Sequence, residues 1–138
     1  VNKDERGVLI LTASADSSRF RERWASIELI KTSFKGLALW VPMDSLDLAV
    51  MQAIVGGYIE RVPVVFPASF PVVDLWANEE GLINGLAPCA FQSKAWLAMG
   101  GHQLRGDTML AARRGAHSLP TKRGKVDQLL AEFYEVIM

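Results

Sequence analysis

No second cysteine exists to pair with Cys89, so the chain has no intramolecular disulfide to lean on. That scarcity, with no basic and apolar leader at its start, gives the expectation of a cytoplasmic, reducing setting. No apolar run reaches the roughly 20 residues that a membrane-crossing helix requires, which excludes a helical span. Neither sign of charge is in excess: 15 Lys and Arg stand against 15 Asp and Glu, so no global field draws the molecule to nucleic acid or an anionic membrane. Only two histidines occur, His102 and His117, and with Cys89 their spacings match no common zinc pattern. No cofactor motif is present either. Low-complexity segments and linkers are also missing, which leaves one domain over residues 1–138, long enough to bury its own core.

What is abundant is apolar residue. Half the chain is hydrophobic and the mean hydropathy is +0.17, more than a small monomer usually has to hide, and this gives the expectation of a homo-oligomer.

The pattern along the chain is mixed. Gly7 to Ala13 reads as an interior strand, apolar on both faces, and Arg19 to Trp24 as an exposed loop or a short helix begun by Asp16 or Ser17. Ala25 to Lys31 and Leu37 to Val41 read as antiparallel strands about a turn at residues 32–36. A helix is expected from Ser45 to Val55, with Leu46, Ala49, Val50, Ala53 and Ile54 on its packed face and Gly56 as its left-handed stop. Strands are expected at 58–62 and 72–77, separated by an edge segment or loop carrying Pro63, Pro67 and Pro71. Asn78 to Gly81 reads as a hairpin turn returning along Leu82 to Leu86, followed by a helix from Ala90 to Met99 closed by Gly100 and Gly101. A strand at 108–112, a polar loop from Arg113 to Pro120 and a last helix complete the reading. That helix is capped by Thr121 and striped by Val126, Leu129, Leu130, Phe133, Tyr134 and Ile137. The expected class is α+β, a mostly antiparallel sheet with two or three helices packed on one face.

Leu48, Gln52, the run Val55-Gly56-Gly57-Tyr58-Ile59-Glu60-Arg61-Val62, Asn78-Glu79-Glu80-Gly81, Asn84-Gly85-Leu86, Pro88, Ala95 and Leu104-Arg105-Gly106-Asp107-Thr108 follow one another at characteristic spacings. With them the chain, from about Leu46 to Ala112, resembles a family of small bacterial domains of unknown function found in actinobacteria, phages and plasmids. Cys89 departs from that pattern, which usually has Asn there. The resemblance implies a gene carried on mobile elements and brings no catalytic residues.

Several groups are candidates for chemistry. Glu60, Asp74, Glu79 and Glu80 are the carboxylates nearest the signature, but adjacent turn carboxylates diverge into solvent, and surface charge is the preferred reading. Cys89 precedes an expected helix and is a candidate nucleophile with His102 or His117 as base, set against the commoner role of a small buried hydrophobe. The glycine pairs 56–57 and 100–101 follow helices instead of preceding them, which is the wrong polarity for a phosphate loop. Arg113, Arg114, Lys122, Arg123 and Lys125 form the candidate polyanion patch, and Phe66, Phe70 and Trp76 the candidate interface. Three functions follow in order of preference: a non-enzymatic binding or interaction module of a mobile element, a nucleic-acid-binding accessory protein, and a small hydrolase.

Overall fold

The computed structural model describes residues 1–64 and 72–136. Its centre is an antiparallel sheet in the order β2 (Glu28–Thr32), β3 (Leu37–Pro42), β1 (Arg6–Leu11), β7 (Thr108–Arg114), β5 (Val72–Asn78), β4 (Ile59–Val62). β1 is interior, as its two apolar faces require: Leu9 lies opposite Trp40 on one side and Leu110 on the other. Before Leu9, towards Arg6, β1 and β7 part, and the returning segment fills the gap. β8 (His117–Leu119) pairs with β7, and β9 (Thr121–Lys122) pairs with β1. The stretch read as a polar loop from Arg113 is therefore a β-hairpin, turned by Gly115 at φ +59.

The sheet is covered on both faces, not one. Leu9, Leu11, Trp40, Leu75 and Leu110 share a cluster with Phe91, Phe133, Val126 and Leu129, whereas Val8, Ile10, Leu39, Val41 and Met109 share another with Phe20, Met51, Ile54 and Val55. The second layer holds α1 (Ser18–Arg23) and α2 (Leu48–Val55). The first holds α4 (Val126–Leu130) and a two-stranded ribbon of β6 (Phe91–Ser93) with β10 (Phe133–Glu135), and Trp96 of α3 (Lys94–Ala98) packs against it. A sheet whose central strands are apolar on both sides has to be buried on both, which is why the one-face expectation fails.

α1 settles the open reading at Arg19 in favour of a helix. α2 starts later than Ser45 because Asp47 supplies the cap, its carboxylate accepting from Val50 N at 2.9 Å. Its buried residues are Met51, Ile54 and Val55, so the packed face is rotated from the one expected. Gly56 ends it at φ +81.

Three further expectations give way. Leu82 to Leu86 is a run of turns and not a returning strand, because β5 already has β4 and β7 on its two edges and no ladder position is left. The helix expected at Ala90 begins as β6 and becomes α3 only at Lys94, with Ser93 accepting from Trp96 N at 3.1 Å as its cap. The last helix is cut to a 3-10 turn (Arg123–Lys125) and α4, since Phe133 to Glu135 bonds to β6 instead; Thr121 lies in β9, and Ile137 is outside the described residues.

Candidate functional site

The two ends of the sheet differ. At one end the signature residues tie α2, β5 and β7 together. The buried Asn78 donates from Nδ2 to Val55 O (3.2 Å) and accepts from Glu80 N (2.8 Å), joining the helix stop to the following turn. Asp107 accepts from Ala13 N at 2.9 Å and pairs with Arg19, whose guanidinium also donates to Ala53 O at 2.8 Å. That cation satisfies a carbonyl left unpaired by the end of α2. Arg105 donates to Leu86 O at 3.0 Å, and Gly106 N to Ala87 O at 2.7 Å. Every one of these bonds closes on the chain itself, so these signature residues are accounted for as structure, whereas Leu48, Ile59 and Arg61 of the same signature lie elsewhere.

The other end is open. The start of α2, β4, β5 and the tip of the β7–β8 hairpin enclose a groove of about 400 Å³ lined by Leu46, Leu48, Met51, Ile59, Trp76 and His117 among others. Leu48 is 57 % exposed on its rim. Trp76 faces the same side as Met109 across the ladder, and its indole Nε1 is buried with no hydrogen-bond partner. An unpaired buried donor costs about 1–3 kcal/mol, which sets this position apart from the well-satisfied signature end. Asp74, two residues earlier on the same face, accepts from Arg113 Nε at 2.8 Å and lies 3.8 Å from Arg61 Nη1.

The residues nominated from sequence scatter. Arg113 is engaged by Asp74. Arg123 is held by Glu28 in a two-pronged pair of 3.0 and 2.7 Å, which lowers the Glu28 carboxyl below its usual range, first through that hydrogen bond. The pair therefore adds stability above the ordinary glutamate pKa that is lost as pH falls through the lowered value. Lys122 lies 3.9 Å from Asp4, Arg114 is exposed beside the hairpin turn, and Lys125 is half-buried. Of the candidate interface, Trp76 lines the groove, whereas Phe66 and Phe70 lie outside the described residues.

Cys89 is fully buried, with Sγ 3.4 Å from Leu11 O and 3.8 Å from Thr108 Oγ1. Burial, above all, pushes its thiol up to about 12. His102 and His117 are both exposed, so neither shares its environment. Among the described residues, no group of three or more His, Cys, Asp or Glu is placed to hold a metal ion. Iodoacetamide at pH 8 is expected to leave Cys89 unlabelled in the folded protein and to label it fully in denaturant; rapid labelling of the native thiol, followed by mass spectrometry, would contradict this placement.

A family model described as "Domain of unknown function (DUF3846)" matches residues 30–133. The chain belongs to the DUF3846 family. No curated protein and no solved structure matches it. The DUF3846 match extends past the resemblance seen in sequence and takes in α4 and the start of β10. It leaves out α1 and β1, although β1 sits between β3 and β7 in the sheet. Among the described residues no helix is long and apolar enough to cross a membrane.

Sequence reasoning missed two residues of this framework. Gln92 stands beside Ser93 and Lys94 in the sequence, with nothing to set it apart from a short polar stretch. Arg19 falls before the signature and reads as surface charge.

Proposed function

We propose that this chain is a non-enzymatic interaction module that self-associates through the groove beside Trp76. The observation that carries this is the combination of an apolar cleft, a half-exposed leucine on its rim and a buried indole donor left without a partner. A second copy covering the cleft would remove Leu48 from water and exclude solvent around Trp76. The apolar composition supports the same reading, since a surface still showing Leu48, Tyr58, Leu82 and Ile83 gains from burial against another chain. The resemblance of the signature to phage and plasmid domains is what suggests a setting on mobile elements. A hydrolase built on Cys89 draws no support from a buried thiol with a raised pKa.

Light scattering at high micromolar concentration tests it. The expected result is a dimer or larger for the parent chain and a monomer for Leu48→Asp, with unchanged circular dichroism and melting temperature. A monomeric parent, or an oligomer indifferent to Leu48→Asp, would reject the groove as the contact.

A further inference from the structure

Arg61 on β4 is the register partner of Trp76, and therefore points to the α2 side of the sheet. Asp74, two residues before Trp76, points the same way, as does Arg113, which bonds to it and lies opposite Ser118 on β8. On β1, Val8 belongs to the α2-side cluster, so Arg6 shares that face, and its register partner is Lys122 on β9. By register Arg6 faces Lys122 and stands about level with Arg113, whereas Arg61 is level with Met109, farther along the strands, and approaches Arg113 through Asp74; the four cations, from four strands, thus form a diagonal row on one face of the sheet. Neighbouring strands stand about 4.8 Å apart, so with the β8–β9 segment inserted between β7 and β1 the row spans roughly 20 Å. Arg6, Arg61 and Lys122 are exposed, and Arg113 is half-buried.

Asp74 is the one acidic member of the row. It is 5 % exposed and sits between two guanidiniums, so it orients Arg61 and Arg113 while balancing only one of them. Asp4 lies near Lys122 but is itself largely exposed, a weak and screened partner. A single small anion would engage one pair of these cations. A diagonal band of cations spread over several strands fits a chain of repeating negative charges.

We infer that this row binds the phosphate backbone of a nucleic acid. It shares only Arg113 and Lys122 with the basic segment nominated from sequence, and adds Arg6 and Arg61, which no local pattern joins to them. Binding here is sequence-independent, carried by phosphate contacts and counterion release, and steeply weakened by salt. The row runs beside the groove, Arg61 being the register partner of Trp76, but Leu48→Asp removes none of its cations, so anisotropy with that variant reads binding apart from self-association.

Fluorescence anisotropy with a labelled 20-nucleotide single strand and the matching duplex, over a series of salt concentrations, is the test. The parent chain is expected to bind at least one probe at low salt. The triple variant Arg6→Gln, Arg61→Gln, Lys122→Gln is expected to bind at least tenfold more weakly with a shallower salt slope. A control triple, Arg21→Gln, Lys35→Gln, Lys94→Gln, removes the same charge elsewhere and is expected to bind like the parent. Arg113 is left intact so that Asp74 keeps a partner, and circular dichroism confirms folding of each variant. No binding to either probe at low salt, equal losses in the two triple variants, or equally tight binding to polyglutamate would each overturn the assignment.

Discussion

Replacing Gln92 with Leu is expected to lower the unfolding free energy by about 3–5 kcal/mol, a large share of the roughly 5–15 kcal/mol that holds a domain of this size folded. Gln92 is fully buried in β6, and its amide closes three hydrogen bonds. Nε2 donates to Cys89 O at 2.8 Å and to Leu104 O at 2.9 Å, and Oε1 accepts from Leu104 N at 2.8 Å. Leucine fills the space but returns none of these bonds; Leu104 O keeps Cys89 N at 2.9 Å, whereas Cys89 O and Leu104 N lose the partner that Gln92 gave them, away from water. The cost is that of unsatisfied groups, about 1–3 kcal/mol each, and not that of a lost contact. Urea unfolding followed by far-ultraviolet circular dichroism measures it. A loss below about 1 kcal/mol would mean that water reaches these groups, and that the amide is not what holds the 89–92 and 104 segments together.

Gly36→Ala is expected to be comparably harmful for a steric reason. A Cβ at Gly36 would stand 2.3 Å from Thr12 O and 2.8 Å from Ala90 Cβ. The first neighbour is backbone and cannot rotate aside. This is the junction where three segments meet: Thr12 N donates to Leu37 O at 2.9 Å, Leu37 N to Thr12 Oγ1 at 2.8 Å, and Ala90 N to Thr12 O at 3.0 Å. Relieving the overlap pushes β3 from the end of β1 and lifts the residue that leads into β6, so the substitution acts on the sheet and on the layer covering it. A loss of about 2–4 kcal/mol is expected, somewhat above the usual range for overpacking because the obstruction is main chain. Thermal unfolding of Gly36→Ala beside Gly85→Ala makes the comparison. The Gly85 site has a positive φ but open space around it, so its cost should be only about 1 kcal/mol. Equal melting temperatures for the two variants would show that the junction yields more easily than its spacing implies.

What was legible in the sequence is local. The apolar run 8–11 gave an interior strand, the alternation about 25–41 gave a hairpin, and the helical run ending at Gly56 gave α2 with its left-handed stop. Each depends on periodicity or on a residue with one strong conformational use. The errors fall where a local pattern was outbid by a distant partner. The stripe through Phe133 and Tyr134 has helical spacing, yet those residues pair with Ser93 and Gln92, forty-odd positions away along the chain. A short apolar run can satisfy either geometry, and the free edge offered by β6 decides between them.

The candidate sites follow the same division. A run of basic residues after Arg105 is visible in sequence, but which of them face one surface is not. Arg123 is spent on Glu28, whereas Arg6 and Arg61, remote in the chain, are brought onto one face with Arg113 and Lys122 by strand register. The sequence by itself determined an antiparallel α+β framework and the signature that fastens one end of it, because turns, caps and apolar alternation act over a few residues. Only the tertiary structure decided that both faces are covered, that Cys89 is sealed inside, and that a groove and a row of cations share the open end, because each depends on which strands become neighbours.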